Sequence, residues 1–98
     1  MQRGEIWSYV PQASPRRQTV VLASSDGINQ SPRAWLIGAP ITDKDPQDIL
    51  AVPIDGHGWM SAGNITRLYR GWLRERVGQL DRETVDRLDS ALRAALDL

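Results

Sequence analysis

The chain has 98 residues, 41% of them hydrophobic, with twelve basic and twelve acidic side chains that cancel to zero net charge. That length suits one domain, residues 1–98, with a modest core. The lack of cysteine excludes disulfide frameworks, thiolate metal sites and thiol nucleophiles, and zero net charge argues against adhesion to nucleic acid or anionic lipid by bulk attraction.

Charge is nonetheless unevenly spread. Residues 1–80 carry nine basic and seven acidic groups, residues 81–98 three and five. Eleven of the twelve cations are Arg, which favours fixed, forked contacts over diffuse attraction.

The first five residues have no apolar run of the secretory kind, and the longest apolar stretches are four residues, at 20–23, 34–37 and 49–52. A cytoplasmic protein without a membrane segment is the expectation. Residues 5–10 alternate Ile6, Ser8 and Val10 against Trp7 and Tyr9 and predict a strand. Pro11-Gln12-Ala13-Ser14-Pro15 reads as a loop. The β-branched run at 19–23 predicts a central strand buried on both faces. Turns at Ser25-Asp26-Gly27 and Asn29-Gln30-Ser31-Pro32 separate it from a third strand at 34–39. A polar connection at 42–48 leads to a fourth at 49–54, and shorter strands near 64–69 and 76–80 finish the sheet.

The tail alone has a helical period: Val85, Leu88, Leu92, Ala95 and Leu96 form one apolar stripe. Asp81 stands at the N-cap position, with Leu80 and Val85 placed to staple across it. Five or six strands followed by one helix predict an α+β, mainly β plan, a small curled barrel closed by the helix.

Few residues have the spacing of known chemistry. His57, the single histidine, lies in Asp55-Gly56-His57-Gly58-Trp59 without a partner at ligand spacing, and reads as a loop histidine. Asp43, Asp45 and Asp48 resemble a calcium loop only faintly, since the sixth position is Asp48 instead of Gly and the twelfth is Ile54 instead of Glu. Trp7 and Trp35 fall inside strand patterns and read as core, whereas Trp59 and Trp72 lie in glycine-rich segments and are candidates for exposure. What remains is Arg16-Arg17 before the buried strand, Thr42 after the third and residues 64–67 near the fifth. Such groups either form a phosphate-binding cup, with Arg as the fork and hydroxyls and amides as orienters, or are solvated loop residues.

Five segments in order then resemble the MazF/PemK family of toxin–antitoxin ribonucleases. They are Arg3-Gly4-Glu5-Ile6-Trp7, the run from Thr19 to Asp26, Ala39-Pro40-Ile41-Thr42, Asn64-Ile65, and Val77-Gly78-Gln79-Leu80 leading into the terminal helix. The resemblance implies an SH3-like barrel with a C-terminal α-helix, acting as a homodimer. It also implies metal-independent cleavage of single-stranded RNA through the substrate's own 2′-hydroxyl, with no cofactor, and a cognate antitoxin that blocks the site. The family's catalytic Thr matches Thr42. Its catalytic Arg, counted without gaps, falls on Gln18, so Arg17, or Arg16, is the expected replacement. Gln18, Asn64, Thr66 and Arg67 are the expected RNA contacts. Two other readings stay open: a gyrase-inhibiting toxin resembling CcdB, and a catalytically silent member that binds antitoxin or RNA.

Overall fold

The run at 19–23 becomes the middle of the main sheet. A computed structural model describes residues 1–13 and 16–97; Ser14 and Pro15, in the expected first loop, lie outside the described residues, as does Leu98. Strands β1 (Glu5–Tyr9), β2 (Gln18–Leu22), β3 (Trp35–Pro40), β6 (Thr66–Tyr69) and β7 (Leu73–Gln79) form one antiparallel sheet in the order β6-β3-β2-β1-β7. Strands β4 (Ala51–Ile54) and β5 (Gly58–Ser61) form a separate hairpin. A single turn, α1 (Asp26–Asn29), follows β2, and α2 (Arg82–Leu96) ends the described chain.

Because β2 is central, its alternate side chains face two different cores. Val21 joins Ile6, Ala39, Val52, Ile54, Met60, Leu80 and Leu88 under the hairpin and α2. Val20 and Leu22 join Tyr9, Leu36, Leu68 and Leu73, with Trp7 and Trp72 packed alongside. The mainly β plan with a C-terminal helix is therefore as expected. Strand pairing among the described residues runs as an open order, and the hairpin is tied to the sheet by a bridge between Thr42 and Trp59.

The helix begins where its sequence says. The Asp81 carboxylate accepts the Thr84 amide at 2.8 Å, and Leu80 and Val85 both pack into the first core. The stripe fades at its end, where Leu96 is exposed. Asp97 takes a left-handed conformation (φ 56°) and donates its N–H to the Arg93 carbonyl, closing the helix.

Three expectations need correction. The segment 55–59 is only partly a loop: β5 starts at Gly58, on a run too short to show a period. The fourth strand begins at Ala51 because Asp48 accepts the Leu50 amide at 2.8 Å and holds residues 48–50 in a turn. Trp35 is not core. With 38% of its surface exposed, it stands on the outer face of β3 beside Tyr69, ring centroids 5.2 Å apart. Trp59 and Trp72 are each half-buried.

Candidate active site

Two backbone links bring separate stretches of chain to one place. The Ile41 amide donates to the Thr19 carbonyl at 2.8 Å, continuing the β2–β3 pairing past the end of β3. Thr42 and Trp59 then exchange N–H···O=C bonds, both at 2.7 Å, which draws the β4–β5 hairpin onto the same edge. Around this junction lies a cleft of about 610 Å³, lined among others by Arg16, Arg17, Gln18, Thr42, Asp43 and His57.

Both arginines reach the cleft. On a strand, adjacent side chains would point to opposite faces, but β2 starts only at Gln18, so Arg16 and Arg17 precede the pleat. Among the described residues neither is held by an ion pair or a side-chain hydrogen bond. Three other cations are committed. Arg70 donates to the carbonyls of Arg33, Asn29 and Ile28 at 2.8, 2.7 and 3.2 Å, Arg3 pairs with Asp89, and Arg87 pairs with Glu83. The neutral total of the chain thus conceals a local excess: two guanidiniums face one carboxylate, Asp43, in the cleft. That is the electrostatic setting for an anion.

Thr42 is exposed, and its hydroxyl donates to the Lys44 carbonyl at 3.0 Å. To donate to a bound phosphate it must turn away from Lys44, a change of one rotamer. Its main chain cannot follow, being fixed on both sides by Trp59.

Asn64, Thr66 and Arg67 do not line the cleft. Asn64 ends a short 3₁₀ turn, Ala62–Asn64, and Thr66 and Arg67 lie on β6, the edge strand, opposite Gly38 and Ile37. The Arg67 guanidinium sits over the Trp35 ring, 4.7 Å from its centroid. Asp43, Asp45 and Asp48 do not converge. Asp45 accepts the Gln47 amide and Asp48 the Leu50 amide, as turn residues do, and among the described residues no three His, Cys, Asp or Glu side chains gather at metal-binding distance.

His57 is the cleft residue that sequence spacing missed. Nothing near it in the chain has ligand spacing; it arrives through the long-range bridge between Thr42 and Trp59. A second concavity, about 520 Å³, lies between β4 and α2. Ile49, Val52, Pro53 and Ala91 line it together with Glu83, Asp86 and a single arginine, Arg87, so its charge balance is the wrong one for a polyanion.

The sequence profile of PemK-like, MazF-like toxins of type II toxin–antitoxin systems matches residues 2–96. The chain belongs to this family. No curated protein sequence matches it significantly. Among solved structures it is similar to a mycobacterial endoribonuclease in complex with its cognate antitoxin, at 20% identity and a TM-score of 0.87, covering 100% of this chain and 96% of that one. It is also similar to MazF in the Deinococcus radiodurans MazE–MazF complex, at 14% identity and a TM-score of 0.84, covering 100% and 96%. A third is the Mycobacterium tuberculosis toxin MazF-mt6, at 19% identity and a TM-score of 0.80, covering 96% and 97%. At these identities the structures establish a common fold. The MazF-like fold of this chain, with the cleft at the β2–β3 edge, is the frame for its chemistry. No described helix is long and apolar enough to cross a membrane.

Proposed function

We propose that this MazF-like toxin is a metal-independent endoribonuclease that cleaves single-stranded RNA by attack of the substrate's own 2′-hydroxyl on the adjacent phosphate. One observation carries the reading: in a chain of this family, Arg16, Arg17 and Thr42 line one cleft. The similar mycobacterial protein is itself an endoribonuclease.

The chemistry matches what the cleft offers. Attack by the 2′-oxygen forms a bond to phosphorus and expels the 5′-oxygen, leaving a 2′,3′-cyclic phosphate and a 5′-hydroxyl. No protein nucleophile takes part. The pentacovalent transition state gathers negative charge on the non-bridging oxygens, which preorganised donors stabilise. Arg17, with Arg16 beside it, supplies the positive charge that offsets it. A guanidinium stays protonated in proteins, so its role is electrostatic. Thr42, on a fixed backbone, orients the scissile phosphate once its hydroxyl leaves Lys44.

Gln18 lines the cleft and contacts the RNA there. Pro40 also lines it, and Gly38, the partner of Thr66, is two strand residues from Pro40, roughly 7 Å. Thr66 and Arg67 flank the path along β3 from the cleft, one on each face of the edge strand β6, with Asn64 just before them. The toxin acts in the cytoplasm as a homodimer and is neutralised by a cognate antitoxin. Exposed Trp35, Ile37 and Val77 offer apolar surface for such contacts.

The test is incubation of the purified chain with a long mixed-sequence RNA in EDTA, followed by mapping of the new ends. Discrete cuts with 5′-hydroxyl termini are expected. An intact RNA, from a sample shown to be folded, would overturn the reading and leave a silent or protein-directed toxin.

A further inference from the structure

We propose that His57 is a further catalytic residue of this cleft: its imidazole is the base that takes the proton from the attacking 2′-hydroxyl. The inference rests on the ribonuclease reading above and adds the proton acceptor that Arg16, Arg17 and Thr42 do not provide.

The position of His57 is built, not incidental. The β4–β5 turn closes through the His57 amide, which donates to the Ile54 carbonyl at 3.0 Å. Glycines on either side take positive φ, +76° at Gly56 and +122° at Gly58. The hairpin is then anchored to the cleft edge through Trp59 and Thr42. The ring is backed by β7. A β-carbon on Gly78 would stand 3.3 Å from Nε2 and 3.7 Å from Cε1, so glycine at position 78 leaves room for the imidazole. Neither ring nitrogen is hydrogen-bonded among the described residues, and the side chain is exposed on the cleft that Arg16, Arg17 and Thr42 also line.

The choice of base follows from the lining. A guanidinium is already protonated at neutral pH and has no lone pair with which to accept a proton, and a hydroxyl is too weak a base for the step. Asp43 is a carboxylate, intrinsically a weaker base than a neutral imidazole. Imidazole is the side chain whose ordinary pKa lies near the working pH, where a base is both unprotonated and strong enough to help. In the step, the 2′-oxygen–phosphorus bond forms as the imidazole takes the 2′-proton. The phosphorus–5′-oxygen bond breaks, water protonates the leaving oxygen, and the imidazolium returns its proton to solvent. No oxidant, reductant or co-reactant is consumed.

The test uses the full chain and a transcript whose cut sites have been mapped for the unaltered protein. Rates of cleavage are measured across the acid-to-neutral range for the parent, His57→Ala and His57→Gln, with thermal melting to verify the fold. Affinity is measured on the same RNA carrying a 2′-deoxy sugar at the cut site. The expected result is a fall in kcat on the order of 10² to 10⁴ in both variants. The acid limb of the parent's pH profile disappears with it, affinity for the 2′-deoxy RNA is unchanged, and added imidazole partly rescues His57→Ala. Variants that keep the parent's rate and acid limb would overturn the role of His57 while leaving the ribonuclease intact. A parent protein that cuts no RNA would overturn the ribonuclease reading itself, and this one with it.

Discussion

A β-carbon placed on Gly58 would stand 2.2 Å from the carbonyl oxygen of Thr42. The hairpin and the end of β3 approach so closely that only glycine fits, and φ at Gly58 is +122°, a conformation L side chains rarely adopt. Position 58 is thus the spacer that lets Thr42 and Trp59 pair.

Gly58→Ala is expected to destabilise the fold and displace Thr42 together. Overpacking costs about 1–3 kcal/mol and backbone strain a similar amount. A domain of this size loses about 4–8 °C of Tm per kcal/mol, so a fall of about 10–50 °C is expected by calorimetry. RNA cleavage should fall further than the loss of folded protein explains.

Arg17→Ala and Thr42→Ala are each expected to lower RNA cleavage by about 10² to 10³, the usual effect of removing one donor to a charged transition state. Arg16→Ala should have the smaller effect. All three positions are exposed, so stability should stay within about 0.5 kcal/mol of the parent. Each Arg removed from a phosphate contact should also reduce the slope of log affinity against log salt by about 0.7. Titrating a single-stranded 2′-deoxy analogue at several salt concentrations measures it.

The Asp81 carboxyl titrates below its ordinary value of 3.8, because of hydrogen bonding by the Thr84 side chain first and the Thr84 backbone amide second. A depressed folded-state pKa means that the unfolded chain binds the proton more tightly. The stabilisation is therefore full above the unfolded value and is lost as pH falls through the depressed folded value. Denaturant unfolding from neutrality into the acid range should show Asp81→Ala less stable at neutral pH, with its deficit shrinking below pH 3.8.

Leu88 is fully buried between α2 and the first core. Leu88→Ala should cost about 2–5 kcal/mol in urea unfolding, from lost transfer energy plus the cavity left behind. Leu96→Ala, at the exposed end of the same stripe, should cost far less. Equal costs would mean that the helix packs differently from the arrangement described.

Local chemistry made much of the fold legible. Asp81 caps the helix because an acid side chain can accept a neighbouring amide wherever the helix lies. Residues 20–22 are buried because a continuous β-branched and aliphatic run has no polar face to show. Where burial depended on the strand's neighbours, the reading failed. Trp35 alternates as a core residue would, yet β3 turns that face outward, towards Arg67 and Tyr69.

The cleft divides along the same line. The sequence by itself determined the capped terminal helix and the buried central strand, and it supplied the residue types of the proposed anion site, Arg16, Arg17 and Thr42. All of these follow from composition, or from neighbours within a few positions. Tertiary structure alone decided that both arginines face the cleft, because they end before the pleat of β2 begins. It alone brought His57 to that cleft, fifteen positions after Thr42, through a backbone bridge that no local period records. Side-chain periodicity reports the geometry of one element, whereas a cleft is set by hydrogen bonds between elements far apart in the chain.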